Sequence, residues 1–331
     1  MSGHEDRAAT EASAAKDSAA KASAAETLAT KAKDRRVVLI AAAMLIGAMA
    51  LWGSNSVVAR LMVTNMPPLS AAFWRWTAVI AAMAPFVLPK LGRALPHLRA
   101  SGLFLIGLAI IGPFSFILLN YWGLQRTTAV NASITHGASP VLTVLASWLI
   151  VHERISRRTA LGMAIAFSGT LAFVAHGDPA RLLALDVNLG DLAIVAASAC
   201  WALYSVLLRY VPKGLDPTVL VFVITAVALV LQTPLYAWEL SQGLRINVTW
   251  GNVALLVYSG AIISVFANLF WIKGNAVLGA NIAAQFNYLT PILGSALAVA
   301  LLGEAFELYH FVGMSLVLAG VYIATVLGRR S

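Results

Sequence analysis

Apolar residues run in stretches of about 20, broken by short polar segments, from residue 37 almost to the end of the chain. Ten such stretches fall at 37–58, 70–89, 102–121, 127–150, 158–176, 190–210, 217–238, 250–271, 278–302 and 307–327. A helix needs about 20 apolar residues to cross the hydrocarbon core of a bilayer, so the pattern predicts ten transmembrane helices. Polar and apolar positions do not alternate with a period of two, which argues against an outer-membrane barrel. The expected fold class is an all-α membrane protein.

Residues 1–36 break the pattern. They are rich in Ala, Ser, Lys and Glu and hold almost no large apolar side chain, the composition of a disordered, solvated cytoplasmic tail. No apolar segment with a small-residue cleavage site precedes the first stretch, so no removable signal peptide is expected. Overall, 60% of the residues are hydrophobic and 11% are charged, which agrees with an integral membrane protein. A net charge of +9 raises the question of nucleic acid, and the placement of the charges answers it. With the N-terminus in the cytoplasm, Lys90, Arg93, Arg99, Arg154, Arg157, Arg158, Arg209, Lys213, Lys273, Arg329 and Arg330 fall inside. Arg60, Arg126, Arg181 and Arg245 fall outside. This asymmetry is the positive-inside bias. It places both termini in the cytoplasm and makes the basic charge a topological signal, so no nucleic-acid partner is expected. The single Cys200 excludes an intrachain disulfide.

The chain also repeats itself. At an offset of 151 residues Gly123, Pro140, Glu153, Gly162 and Gly169 match Gly274, Pro291, Glu304, Gly313 and Gly320. At an offset of 149, LWGSNSVVAR (51–60) matches CWALYSVLLR (200–209), pairing Trp52 with Trp201, Ser56 with Ser205 and Arg60 with Arg209; Pro68 likewise pairs with Pro217. The expected organisation is two five-helix repeats, 37–176 and 190–327. Five is odd, so the second repeat enters the membrane from the opposite side and the repeats are inverted. Inverted repeats are the signature of alternating-access carriers, with the substrate site near the midplane between them.

The fourth stretch carries His136 and Pro140 near its middle. Proline displaces the carbonyl four residues earlier, so Pro140 frees that of His136, and Pro291 frees that of Asn287. An unpaired carbonyl at membrane depth is tolerated only against protein or a wet cavity. The two helix-kink prolines thus place His136 and Asn287 on a central path. Ser133, His136, Ser139, Thr143 and Ser147 form one polar stripe. In the ninth stretch Asn281, Gln285 and Tyr288 share a face beside Asn287 and Thr290. Polar groups at midplane usually face a functional interior. An unperturbed imidazole titrates near neutrality, making His136 the candidate proton sensor. Trp52 and Trp201, with Tyr121, Tyr204 and Trp271, are candidates for aromatic walls that stack on a planar substrate; packing alone weighs equally for Trp52 and Trp201. Trp122, Trp148, Trp238 and Trp250 lie near predicted ends and read as interfacial anchors. Arg75 either pairs with a substrate carboxylate or snorkels to the interface. Glu153 and Glu304 are expected to cap the helices that follow them, and the four glycines 162, 169, 313 and 320 to let the fifth and tenth helices pack closely.

The stretch WGSNSVVAR, which contains Trp52 and Asn55, together with P-x12-E-x8-G-x6-G in each half, resembles EamA-type members of the drug/metabolite transporter superfamily. The first half departs from the pattern, with VHE where the second has LGE. The resemblance implies a ten-helix, inverted-repeat exporter of small metabolites. The tryptophan-rich polar core is most similar to exporters of amino acids, the aromatic ones in particular. The expected site is therefore Trp52, Asn55, Tyr121, His136, Ser139, Trp201, Tyr204, Trp271, Gln285, Asn287 and Tyr288. Apart from Asp191 at a boundary, no carboxylate sits mid-membrane in the first, third, fourth, sixth, eighth or ninth stretch, so facilitated export is expected over carboxylate-coupled proton antiport. A multidrug or cation exporter driven by protons is the alternative; a membrane-embedded enzyme or lipid scramblase is the alternative of another class. No metal-ligand spacing, phosphate loop or nucleophile motif is present, so neither cofactor nor catalysis is expected. The expected partners are a small-molecule substrate and the bilayer of a bacterial-type inner membrane, with the monomer as functional unit.

Overall fold

The computed structural model describes residues 35–55, 58, 61–62, 65–127, 136, 139–153, 155–175, 178, 180, 188–290, 292–294, 296 and 308–324. The expectations for residues 1–34, Ser56, Arg60, Ser133, Pro291 and Glu304 lie outside the described residues. Among the described residues every regular element is helical. In chain order these are α1 (Arg35–Asn55), α2 (Pro68–Ala109), α3 (Ser115–Leu124), α4 (Ser139–Val151), α5 (Arg157–Val174), α6 (Leu189–Leu207), α7 (Pro217–Ser241), α8 (Trp250–Val257), α9 (Val265–Leu278), α10 (Ala280–Gln285) and α11 (Leu308–Tyr322). Two wide π turns, Ile110–Phe114 and Tyr258–Ser264, join α2 to α3 and α8 to α9, and a 3₁₀ turn, Phe286–Tyr288, follows α10.

Among the described residues five helical runs are long and apolar enough to cross a membrane: Arg35–Asn55, Pro68–Leu124, Leu189–Tyr210, Pro217–Ser241 and Trp250–Leu278. Ser139–Val151 and Phe311–Tyr322 are shorter apolar helices. The predicted stretches 70–89 and 102–121 share one run because the basic residues between them, 90–100, stay helical. The run breaks only at Ser101, with φ −122° and ψ 15°. Large apolar side chains such as Phe86, Leu103 and Val230 are exposed along these helices, as expected where the solvent is lipid. Trp122, Trp148, Trp238 and Trp250 are exposed too, in keeping with their reading as anchors.

Small residues set the closest helix crossings. A Cβ on Gly162 would stand 2.5 Å from the backbone nitrogen of Ala324, and one on Gly320 would stand 2.4 Å from that of Ala166. Thus α5 and α11 touch backbone to backbone, as small residues permit in membranes. Gly123 and Gly190 do the same for α3 and α6, and Gly274 seats Leu45 of α1 against α9.

The α2–α7 pair is fastened at both ends by charge. At one end the buried Glu239 accepts hydrogen bonds from the backbone N–H groups of Leu69 (3.1 Å) and Ser70 (2.6 Å) and from the Ser70 hydroxyl. Pro67 precedes α2 and supplies no side-chain cap, so α7 caps α2 in its place, where the helix dipole favours an anion. At the other end Asp216 caps its own helix through Thr218 N (2.8 Å), and Lys90 Nζ reaches it at 2.8 Å. Partial burial would raise the Asp216 carboxyl, but hydrogen bonds from Lys90 and Thr218 outweigh this and hold it at about 2. That fastening therefore stays charged throughout the physiological range. Removing the other one leaves two buried donors without an acceptor. Glu239→Ala should cost about 1–3 kcal/mol for such orphaned groups, read as a lowered melting temperature in detergent. A melt unchanged from wild type would show that water replaces the carboxylate.

The expectation for Glu153 is corrected. Ser156, just before α5, caps it, its Oγ accepting from Thr159 N at 3.1 Å. Glu153 turns back instead, accepting from Ser147 Oγ at 3.1 Å and standing 3.8 Å from Arg209 Nη1. The cause is His152, whose φ of +57° ends α4 in the left-handed region and redirects the next side chain. Helices commonly stop this way on glycine, and His152 stands where the second half has the glycine of LGE.

Candidate functional site

A cavity of about 340 Å³ lies among the helices, within the range of small-ligand sites. Its wall includes Trp52, Asn55, Tyr121, His136 and Ser139 from the first half of the chain. From the second half come Trp201, Tyr204, Asn287 and Tyr288. Nine of the expected site residues thus share one cavity. The other two do not reach the wall. Trp271 is fully buried behind it, 5.5 Å from the Trp52 ring and 5.7 Å from that of Trp201. Gln285 is also fully buried, its amide donating to Asn281 O at 3.2 Å. With its amide bonded one turn back on its own helix, Gln285 is spent on local packing.

The aromatic residues pack as one layer. Trp52 meets Trp201 edge to face at 5.3 Å and 82°; Trp201 continues to Tyr204 at 5.1 Å and to Phe116 at 5.3 Å. Offset and edge-to-face contacts of this kind favour one another over sandwich stacking, and they hold the rings in place for a planar guest. α1 and α6, which carry Trp52 and Trp201, are the helices that the repeat pairs.

His136 stands between two polar groups. Its Nε2 lies 3.3 Å from Asn120 Oδ1 and its Nδ1 lies 3.4 Å from Ser198 Oγ. Donation from Nε2–H and acceptance at Nδ1 satisfy both. Pro140 is buried within α4. The expected stripe divides here. Ser139 reaches the wall, whereas the Thr143 hydroxyl bonds back to Ser139 O at 3.0 Å and Ser147 is taken by Glu153. Ser205 donates to Trp201 O at 2.8 Å and likewise serves its own helix.

The wall also contains residues that sequence reasoning left out of the site: Phe116, Asn120, Ser198, Thr225, Asn268 and the noted but unassigned Arg75. Asn120 and Asn268 are single amides in apolar runs, and that isolation was the available signal. Asp191, at a predicted boundary, is a capping residue. It accepts from Asn188 N at 2.9 Å while Asn188 caps α6, and it receives the Thr127 hydroxyl.

Comparison with known proteins agrees with this architecture. The EamA-like transporter family matches residues 39–175 and again residues 188–326. An uncharacterized transporter of Bacillus subtilis, YyaM, is 30% identical over 286 residues, covering 85% of this chain and 92% of its own. A probable amino-acid metabolite efflux pump of Escherichia coli is 26% identical over 290 residues, covering 84% of this chain and 92% of its own. Its Salmonella typhimurium counterpart, of the same description, is 25% identical over 287 residues, covering 82% and 90%. A solved crystal structure superposes with a TM-score of 0.71 at 20% identity, covering 88% of this chain and 99% of its own, a likeness of fold alone. The chain is a multi-pass membrane protein of the EamA-like transporter family.

Proposed function

We propose that this chain is a secondary carrier that exports small amphiphilic metabolites, amino acids above all and aromatic ones in particular, by alternating access. The observation that carries the reading is the aromatic-walled cavity, to which both halves of the chain contribute. The two matched relatives described as amino-acid metabolite efflux pumps support the substrate class.

In this reading ten helices form two inverted five-helix repeats, 37–176 and 190–327, with both termini cytoplasmic in a bacterial-type inner membrane. The double family match supports the repeat. So does the packing: α1 lies against α9 as α6 lies against α3, the exchange that a two-fold axis in the membrane plane would produce. Rocking of the halves around the cavity would expose it to each side in turn. Arg75 is the one formally charged side chain among the described wall residues, so facilitated export or exchange is the economical mechanism.

The test is counterflow of labelled phenylalanine, alanine and a cationic dye in proteoliposomes, with and without a pH gradient. Saturable phenylalanine flux that ignores the gradient is expected, with slower alanine flux. Dye flux that needs the gradient would replace this reading with drug antiport.

A further inference from the structure

Arg75 enters the cavity from the second turn of α2 with its geometry already set. Its Nε donates to Ser264 Oγ at 3.1 Å, and its guanidinium lies 5.0 Å from the Trp76 ring centre. The Ser264 hydroxyl is aimed in turn, donating to Ser259 O at 2.7 Å across the π turn. Gly260 permits the approach, since a Cβ there would stand 2.5 Å from the Arg75 carbonyl oxygen. Among the described residues nothing hydrogen-bonds Nη1 or Nη2. A guanidinium fixed through Nε with its two terminal nitrogens open is the fork that takes a carboxylate.

A second observation points the same way. Three buried groups of wall residues have no hydrogen-bond partner among the described residues: Trp76 Nε1, Tyr204 OH and Tyr288 OH. Each residue is at most 3% exposed. An indole N–H can only donate and a phenol O–H donates readily, so the unpaired groups of these wall residues are donors. Buried polar groups are rarely left unsatisfied in native proteins, and each exception asks for a ligand or water. On the opposite side of the account, no Asp or Glu is among the described wall residues.

We infer that the cavity selects its substrate by a carboxylate, which Arg75 anchors, and that an ammonium group on the substrate is dispensable. The inference rests on the export reading of the same cavity and narrows its substrates to small amphiphilic carboxylates, with or without an amino group. The apolar part of such a molecule lies against Trp52 and Trp201. An amine without a carboxylate meets like charge at Arg75 and leaves its terminal nitrogens without an acceptor.

The test is binding, followed by flux. The purified full-length protein is titrated by tryptophan fluorescence with 3-phenylpropionate, which has the carboxylate alone, and with phenethylamine, which has the ammonium alone. 3-Phenylpropionate should bind at least about tenfold more tightly than phenethylamine. Arg75→Gln should erase that ratio and Arg75→Lys should retain part of it, each variant being first shown monodisperse. Equal binding of the two probes, binding of neither, or an unchanged ratio in Arg75→Gln would overturn the inference. Flux of 3-phenylpropionate in proteoliposomes then separates the two claims. A preserved ratio without flux would sink the export reading and leave the anchor, whereas phenylalanine flux without the ratio would do the reverse.

Discussion

Gly320→Leu should yield little folded protein, and whatever folds should melt well below wild type. A Cβ at this position meets the Ala166 backbone nitrogen at 2.4 Å and the Gly162 carbonyl oxygen at 2.5 Å. Both obstacles are main chain and cannot rotate aside, so α5 and α11 must separate along their length. Overpacking of side chains costs about 1–3 kcal/mol; displacing backbone from backbone should exceed the upper end of that range. The control is Gly107→Ala, where the added Cβ meets nothing within 4 Å and a glycine to alanine change in a helix is neutral or stabilising. Thermal melts in detergent compare the two. A Gly320→Leu protein that melts with the control would mean that the α5–α11 contact is not part of the stable fold.

The double variant His136→Ala, Asn287→Ala should retain its melt and lose transport. Both residues face the cavity from opposite halves, and each removes polar contacts worth about tenfold in an equilibrium or a rate. Together they should lower phenylalanine counterflow by about 100-fold. The His136 contacts to Asn120 and Ser198, at 3.3 Å and 3.4 Å, are long for hydrogen bonds, so their loss should weigh little on stability. Full flux from a well-folded double variant would remove both residues from the transport path.

The apolar runs were legible because a bilayer leaves a spanning chain almost no alternative to long apolar helices. The aromatic wall was legible because Trp52 and Trp201 recur at one offset, and His136 because an imidazole deep in a membrane segment needs a reason. Other features left weaker traces. Asn120 and Ser198 have no repeat partner, and their role appears only when α3 and α6 are brought beside His136. Glu239 caps a helix whose first turn lies 169 residues away, a pairing that no local motif announces. Gln285 was misplaced because sharing a helix with wall residues does not show that its amide turns back to Asn281. Arg75 was seen but left undecided between substrate and interface; Ser264, which orients it, sits at the end of a π turn that has no periodic signature.

The π turn at Ile110–Phe114 holds one residue more than an α-helical path would need. Deleting Ile111 would therefore remove the bulge and leave every residue beyond it on the face it already occupies. Rewinding the same five residues as regular α-helix, with none removed, would instead swing everything beyond them by about 100°, carrying Phe116, Asn120 and Tyr121 off the cavity wall. A change of winding at one turn thus exchanges the whole set of side chains that α3 shows a substrate while the helix itself survives.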